Sequence, residues 1–139
     1  RTPMQWDASP NAGFTTGTPW IPVNPNHVEI NAEAAVADPD SVFHHYRRLI
    51  ELRRTEPVVA QGDFTMLLPD DPVVYAFLRR LGDVELLTVA NFSGETVRPA
   101  LPDYADWLEA ELLLGNVAGS CGPELAAWEA RVHRRTIPR

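Results

Sequence analysis

Apolar residues recur at helical spacing in one long stretch of the chain, residues 38–56. One face of an amphipathic helix needs apolar positions three or four apart. The stretch supplies them at Val42, Phe43, Tyr46, Leu49, Ile50 and Leu52. Asp38 can cap the first turn, Pro39 suits the first helical position, and Pro57 stops the run. The pattern therefore predicts one long helix over residues 38–56.

After this helix the period of the apolar residues changes, and the pattern predicts strands. Residues 62–68 and 73–80 read as a hairpin, because the Pro69-Asp70-Asp71-Pro72 sequence between them has turn chemistry. Residues 84–92 are nearly all apolar, which is typical of a central strand buried on both faces. Further strands are predicted at 97–101, within 107–114 and within 127–137. This half is expected to form a small antiparallel β-sandwich of roughly six to eight strands.

The first 30 residues contain five prolines and two glycines, which interrupt any regular element. The same segment carries the large apolar residues Met4, Trp6, Phe14, Trp20, Ile21 and Val23. Long irregular segments in compact proteins are commonly functional, so we expect packing to order this one, at a site or on a larger body of protein. The alternative is a segment that only wraps the β half. After it, Asn31 is predicted to cap a short helix that ends at Ala37.

The composition narrows the classes of function. The chain has 139 residues, is 45% hydrophobic and carries a net charge of −7, which is typical of a globular protein and disfavours nucleic acid or an anionic membrane as a partner. Cys121 is the single cysteine, so no intrachain disulfide can form. With no apolar run long enough to span a bilayer, these features favour the cytoplasm. Arg1 begins directly in a dense motif, so we expect the chain to be part of a longer protein.

Acid–base catalysis requires two carboxylates held close together in different environments. The acidic candidates are Asp70 and Asp71 in a proline-flanked turn, Asp38 and Asp40 at a helix start, and Asp103 and Asp106 in a polar loop. Asp7 is the one acid in a segment that looks functional, and one acid does not make a pair. The sequence therefore predicts no catalytic residue within the chain.

Metal and thiol chemistry are also disfavoured. His44 and His45 are neighbours, so on a helix they point about 100° apart and cannot chelate one ion. Cys121 has no histidine near it in the sequence. We therefore expect neither a metal nor a cofactor. A basic group near the end could bind an anion, but in an acidic chain it is better explained as the exposed side of the last strand: Arg131, His133, Arg134, Arg135 and Arg139.

The remaining candidate is the first segment, RTPMQWD, at residues 1–7. A guanidinium such as that of Arg1 donates several fixed hydrogen bonds to hydroxyls or to a carboxylate. An indole such as that of Trp6 can pack on the face of a sugar ring. Arginine, glutamine and tryptophan together suit sugar recognition.

Longer segments of the chain carry motifs that resemble those of a known family. The segments RTPMQWD (1–7), NAGFTTGTPWIPVNPN (11–26), INAEAAVADPDS (30–41) and YRRLIELRR (46–54) resemble the C-terminal portion of α-glucosidases of the α-amylase superfamily, in the oligo-1,6-glucosidase group. The later segments VVYAFLR, VANFSGE and PELAAWEARVHR are similar to the C-terminal β-domain of that group. Ala127 departs from the pattern, because the group usually has proline there.

The resemblance implies a (β/α)8 barrel followed by an all-β domain. Residues 1–57 would be the loop after the last barrel strand and the last barrel helix, and residues 58–139 the C-terminal β-domain. The expected fold class is thus mainly β with one long helix, with the rest of the barrel absent. Retaining glycosidases of this kind use an Asp nucleophile, a Glu acid/base and a supporting Asp, and the resemblance places all three upstream of RTPMQWD.

The resemblance also implies roles for individual residues. Arg1 would bind substrate by lining the subsite of the non-reducing glucose, where it would pair with an upstream Asp. Gln5, Trp6 and Asp7 would shape this site. The implied partners are an α-glucoside oligosaccharide and the missing catalytic barrel. The long helix would then lie at a seam, with part of its apolar face exposed in this chain.

The expected function is the C-terminal part of a retaining α-glucosidase that cleaves short oligosaccharides of the isomaltose or maltose type from their non-reducing ends, inactive as an isolated chain. The alternative functions within the same superfamily are those of a trehalose synthase, a sucrose isomerase and a trehalose-6-phosphate hydrolase. Trehalose synthases usually carry serine at the position of Asp7, which disfavours that option. The alternative from another class is a non-catalytic β-sandwich that binds sugar or protein.

Overall fold

The structure is a computed structural model that describes residues 1–137, and it separates into two units, Arg1–Arg48 and Leu49–Arg139. The boundary between the units falls inside the long helix. Each unit is therefore described by itself. No helix within residues 1–137 has the length and apolar character that crossing a membrane requires.

The first unit consists of short helical segments joined by irregular chain. A tight turn at Pro10–Gly13 and a 3-10 turn at Pro25–Val28 interrupt the proline-rich segment. Helix α1 (Ala32–Ala37) follows, and the Asn31 side-chain oxygen accepts a hydrogen bond from the Ala34 N–H at 2.8 Å. This confirms the predicted cap and the predicted end of the short helix.

No apolar core orders the first unit within residues 1–137, so packing of its proline-rich segment at a site or on a larger body of protein stays a prediction. Its large apolar side chains are mostly exposed, and that of Trp20 is 97% exposed. The buried residues are Ala12 and Asn31, one small and one polar. Hydrogen bonds to backbone groups, rather than an apolar core, fix this unit.

Helix α2 (Val42–Thr55) begins four residues later than the pattern predicts. Asp38 does not cap it. Instead the Asp38 carboxylate accepts a hydrogen bond from the Asp40 N–H at 3.0 Å, and the Asp38 carbonyl accepts one from the Ser41 N–H at 3.1 Å. Such local bonds stabilise a turn in competition with a helix start. No residue of α2 is buried, and Val42 is 81% exposed.

The second unit holds a five-stranded antiparallel sheet in the order β1-β2-β3-β5-β4. Its elements in chain order are helix α3 (Pro57–Gln61), β1 (Asp63–Met66), β2 (Val74–Leu81), β3 (Val84–Asn91), helix α4 (Tyr104–Leu108), β4 (Glu111–Gly115) and β5 (Ala130–Thr136). The predicted hairpin is confirmed as β1 and β2, with Met66 opposite Phe77. The predicted central strand is confirmed as β3, which lies between β2 and β5.

The predicted sandwich is wrong, because residues 1–137 form one sheet rather than two. Residues 97–101 contribute only an isolated bridge between Val97 and Leu125. Pro99 and Pro102 lack the N–H groups that a strand ladder needs. Trp107, placed at the start of a strand by the pattern, lies in α4, which begins after Asp103 in a left-handed conformation.

The main hydrophobic cluster of the second unit lies on one face of the sheet. Alternate residues of β2 and β3 point to this face, where α4 and two loop residues pack on them. Its members are Val74, Ala76, Leu87, Val89, Leu101, Tyr104, Trp107 and Leu125. Helix α4 and the loops thus supply the layer that the predicted second sheet would have formed.

The basic residues of β5 were predicted to lie on the exposed side of the strand, and this prediction is wrong for Arg131 and His133. Arg131 is 1% exposed and His133 is 4% exposed. Arg135 stacks on the Trp107 ring, 3.9 Å from its centroid, and its Nη2 pairs with Glu85 at 2.8 Å. Arg139, the last member of the predicted group, lies outside the described residues. The core face of β5 therefore carries a buried polar ladder, which periodicity alone does not reveal.

Burial of His133 makes the stability of the second unit sensitive to pH. Burial lowers the pKa of His133, and the positive Arg131 lowers it further. The Ala110 backbone opposes this lowering of the pKa but does not outweigh burial and Arg131. As the pH falls below about 6.5, the unfolded chain binds a proton on this histidine before the folded chain does. The free energy of unfolding must therefore decrease as the pH falls from about 6.5 to the lowered pKa of His133.

We expect urea unfolding to show this loss between pH 7.5 and 5.5, at up to about 1.4 kcal/mol per pH unit. His133→Leu removes the titrating group and should flatten the slope. His45→Gln, a matched change on α2, should leave the slope in place. An unchanged slope in His133→Leu would assign the pH dependence to another group.

Candidate functional site

The RTPMQWD segment lies against the start of helix α1. The Gln5 carbonyl accepts a hydrogen bond from the Ala32 N–H at 2.9 Å, and the Trp6 carbonyl accepts one from the Glu33 N–H at 2.9 Å. The first N–H groups of a helix have no partner within the helix. The segment thus satisfies these donors and is held in place by them.

The Gln5 side chain ties the segment to the second 3-10 turn. Its Nε2 donates to Asn26 Oδ1 at 3.0 Å and also to the Ile30 carbonyl. Both donors of the amide are therefore used within the first unit. Gln5 is therefore a positioning residue for the segment, and its role in shaping a sugar site stays a prediction.

The Asp7 carboxylate organises the loop that follows. Its Oδ1 accepts from the Ser9 N–H at 2.8 Å and from the Ser9 hydroxyl. Hydrogen bonds from the Ser9 hydroxyl and then from the Ser9 N–H lower the pKa of Asp7, and the nearby His27 adds to the effect. Asp7 therefore stays ionised at neutral pH, as an acceptor within the loop rather than as a proton donor.

Three successive residues in the left-handed region turn the chain back onto Asp7. Asn11, Ala12 and Gly13 have φ values of 57°, 57° and 64°. The Ala12 carbonyl accepts a hydrogen bond from the Trp6 N–H at 2.9 Å, and the Asn11 Nδ2 donates to the Gly17 carbonyl at 3.1 Å. A β-carbon added to Gly13 would lie 2.5 Å from Asp7 Oδ2. The tight approach and the positive φ both require glycine at this position.

We predict that Gly13→Ala destabilises the first unit. The left-handed backbone alone costs an alanine about 1–2 kcal/mol, and displacement of the Asp7 carboxylate adds to this. Gly17→Ala is the matched control, because its β-carbon would meet only Thr15 Oγ1 at an ordinary 3.7 Å. Thermal unfolding followed by tryptophan fluorescence should separate the two variants. Equal midpoints would show that the Asp7–Gly13 contact does not hold the loop.

Two members of the predicted site remain available to a ligand. Arg1 is exposed and takes no part in the ion pairs formed within residues 1–137, and Trp6 is 53% exposed. A guanidinium can donate to sugar hydroxyls, and an indole offers an apolar face. The structure thus divides the predicted site into residues that hold the loop, Gln5 and Asp7, and residues exposed to solvent, Arg1 and Trp6.

The described residues show no arrangement suited to proton transfer. The buried carboxylates are Glu85 and Glu129. Each is paired with an arginine, Glu85 with Arg135 and Glu129 with Arg131. Within residues 1–137 no group of three or more His, Cys, Asp or Glu side chains could hold a metal ion.

The sequence pattern did not single out Asn11, Ala12 or Asn26 as parts of the loop framework. Asparagine and glycine tolerate the left-handed region, so Asn11 and Gly13 were available as a signal for this turn. Ala12 gives no such signal, because alanine does not favour this region and its backbone is held by hydrogen bonds with Ser9 and Trp6.

The sequence matches a known family over its first part and known enzymes over nearly its whole length. The family described as "Alpha amylase, catalytic domain" matches residues 1–62. An oligo-1,6-glucosidase of Parageobacillus thermoglucosidasius is 48% identical over 143 aligned residues, which cover 99% of this chain and 25% of the relative. A trehalose-6-phosphate hydrolase of Bacillus subtilis is 46% identical, with 99% of this chain and 26% of the relative covered.

A solved structure shares the fold as well as the sequence. Isomaltulose synthase from Klebsiella sp. LX3 superposes with a TM-score of 0.87 at 39% identity, over 96% of this chain and 24% of that enzyme. The chain therefore spans about a quarter of the length of the relatives that it matches.

Proposed function

The chain belongs to the α-amylase superfamily, and we propose that it is the C-terminal part of a retaining α-glucosidase. The proposed enzyme cleaves α-glucosidic bonds at the non-reducing end of short oligosaccharides of the isomaltose or maltose type. The observation that carries the proposal is the RTPMQWD segment, which is fixed by backbone hydrogen bonds while its Arg1 and Trp6 side chains stay exposed. The oligo-1,6-glucosidases among its relatives support this substrate class.

In this proposal residues 1–57 complete the catalytic barrel and residues 58–139 form the C-terminal β-domain. The family match over residues 1–62 supports the first part. The exposed apolar residues of α2 support it as well, because a helix that covers barrel strands must present such a face. The cytoplasmic location expected from the lone Cys121 stays a prediction.

Arg1 is the proposed substrate-binding residue of the chain. Its guanidinium can donate two hydrogen bonds in fixed geometry to the hydroxyls of the terminal glucose or to a carboxylate that positions them. Gln5 and Asp7 act on the site through the loop, since their polar atoms are used within it. Trp6 contributes an apolar wall.

The chain alone should not hydrolyse glycosides, because residues 1–137 hold no acid–base pair of carboxylates. The test is an assay with an aryl α-glucoside on residues 1–139 and on the longer protein that contains them. We expect turnover by the longer protein only. Turnover by residues 1–139 that a substitution within the chain abolishes would overturn the proposal.

A second candidate is an enzyme of the same superfamily with a different reaction. The trehalose-6-phosphate hydrolase of Bacillus subtilis and the isomaltulose synthase of Klebsiella share 46% and 39% identity with the chain. Product analysis on maltose, isomaltose, sucrose and trehalose 6-phosphate separates the candidates. Glucose from isomaltose or maltose supports the proposal, whereas an isomer of sucrose or cleavage of the phosphorylated sugar selects the second candidate.

A further inference from the structure

Asn31 is a buried polar residue of the first unit, with 8% of its surface exposed. A buried amide costs free energy unless its polar atoms are hydrogen-bonded. The Asn31 Oδ1 accepts from the Ala34 N–H at 2.8 Å, and its Nδ2 donates to the His27 carbonyl at 2.8 Å. Because one partner is a donor and the other an acceptor, a side chain that only accepts cannot replace both bonds.

One end of this amide fixes the start of helix α1, which is the first anchor of the RTPMQWD segment. An asparagine cap satisfies an N–H of the first turn and stabilises that turn. The Ala32 N–H of the same turn donates to the Gln5 carbonyl at 2.9 Å. The Glu33 N–H donates to the Trp6 carbonyl, also at 2.9 Å. The cap therefore stabilises the turn whose donors hold the backbone of the segment.

The other end of the amide fixes the 3-10 turn at Pro25–Val28, which is the second anchor. Its bond to the His27 carbonyl ties this turn to the start of α1. On the same turn Asn26 Oδ1 accepts from the Gln5 side chain at 3.0 Å, and the Ile30 carbonyl accepts from it as well. The acceptors that hold the Gln5 side chain thus depend on the same buried amide.

We propose that Asn31 is a positioning residue for the proposed sugar-binding site, because its one amide joins both anchors of the segment that carries Arg1 and Trp6. This role rests on the proposed function, and it involves no contact between Asn31 and substrate. Asn31 acts through the backbone of Trp6. The Trp6 N–H donates to the Ala12 carbonyl at 2.9 Å while its carbonyl is held by α1, so the position of the indole depends on these hydrogen bonds.

Two substitutions separate the two bonds of the amide. Asn31→Asp still caps α1, but its carboxylate cannot donate to the His27 carbonyl. Asn31→Ser also keeps a cap and adds no buried charge, and its hydroxyl is too short to reach His27 as well. Asn24→Asp is the matched control, because Asn24 is exposed and its side-chain oxygen accepts from the Asn26 N–H at 3.2 Å, a bond that a carboxylate keeps.

Hydrogen–deuterium exchange of the full-length protein measures the hold on the segment independently of activity. We expect both Asn31 variants to exchange about tenfold faster than wild type in peptides covering residues 1–9 and 24–30. Residues 33–37 should change by less than about threefold, since the cap is kept. Asn24→Asp should exchange like wild type. Wild-type exchange of residues 1–9 in both Asn31 variants would overturn the inference, whatever the activity.

Steady-state kinetics of the full-length protein on an aryl α-glucoside test the role in the reaction. Both Asn31 variants should lower kcat/KM by about tenfold, because a displacement of ~1 Å at a site can cost up to about a hundredfold. Asn24→Asp should leave kcat/KM unchanged. In a Trp6→Ala background the effect of Asn31→Asp should shrink to less than about twofold, because residues that act through one contact are not additive.

The kinetic outcomes distinguish this role from the proposed function. Full additivity with Trp6→Ala, or wild-type kcat/KM in both Asn31 variants, would reject the positioning role and leave the protein an α-glucosidase. Absence of hydrolysis by the wild-type full-length protein would reject the proposed function and the positioning role with it.

Discussion

Arg131→Met should destabilise the second unit by about 3–5 kcal/mol, the cost of removing one partner from a buried ion pair. Arg131 Nε donates to Glu129 Oε1 at 2.6 Å, and both side chains are 1% exposed. The Arg131 Nη groups also donate to the Ser120 hydroxyl and to the carbonyls of Gly122 and Glu124, each at 2.6 Å. The substitution leaves a buried carboxylate without its cation and releases the loop before β5. Urea unfolding at pH 7 measures the loss.

Two variants control this prediction. Arg134→Met removes partly exposed ion pairs and should cost at most about 1 kcal/mol. Adding Glu129→Gln to Arg131→Met should recover part of the loss, because the buried charge is then gone. If Arg131→Met and Arg134→Met unfolded alike, the buried pair would not stabilise this unit.

The same pair predicts a loss of stability in acid. Burial acts to raise the pKa of Glu129, but hydrogen bonds from Arg131 and from the Ala126 N–H outweigh burial and hold the pKa below its usual value. A carboxyl whose pKa is lowered on folding stabilises the protein above its unfolded pKa. That contribution is lost as the pH falls through the folded pKa. Arg131→Met should weaken this acid dependence.

Arg1→Ala in the full-length enzyme should lower kcat/KM on an α-glucoside by about a hundredfold, which corresponds to roughly 3 kcal/mol. The proposed reason is the loss of a charged donor to the terminal glucose, whose hydroxyl contacts strengthen in the transition state. Steady-state kinetics on an aryl α-glucoside measure the effect. Unfolding should be unchanged, since Arg1 is exposed and takes no part in the ion pairs of the described residues.

Two matched variants sharpen the Arg1 prediction. Arg98→Ala removes another exposed arginine, from the loop after β3, and should leave kcat/KM unchanged. Arg1→Lys keeps the charge but loses the planar pair of donors, so it should restore only part of the activity. An Arg1→Ala enzyme with wild-type kcat/KM would remove Arg1 from the site.

Local signals in the sequence account for the parts of the fold that were predicted correctly. The Pro69–Pro72 turn and the apolar run of β3 are short-range patterns, and so is the cap at Asn31. The Asp71 carboxylate, for example, accepts hydrogen bonds from the Val73 and Val74 N–H groups at 3.0 and 2.8 Å. Such contacts join residues two or three apart, which a sequence pattern can show.

The parts that were predicted wrongly depend on contacts between distant residues. The last strand of the chain, β5, pairs with β3. Strand β4, which follows β3 in the sequence, lies at the edge of the sheet and pairs only with β5. Burial of Arg131 and His133 follows from that placement and from α4, which covers this face. In the candidate site the motif predicts roles for Arg1 and Trp6, which the structure leaves exposed. It gives no sign of the left-handed conformation of Ala12, because hydrogen bonds with Trp6 and Ser9 impose it.

The central claim is that this chain completes an α-glucosidase whose catalytic carboxylates lie elsewhere in the same polypeptide. The most direct measurement compares hydrolysis of an aryl α-glucoside by the full-length protein and by residues 1–139, at equal molar concentration. The account predicts turnover by the full-length protein, with retention of the anomeric configuration, and none by residues 1–139. Turnover by residues 1–139 alone, or none by the full-length protein, would contradict it.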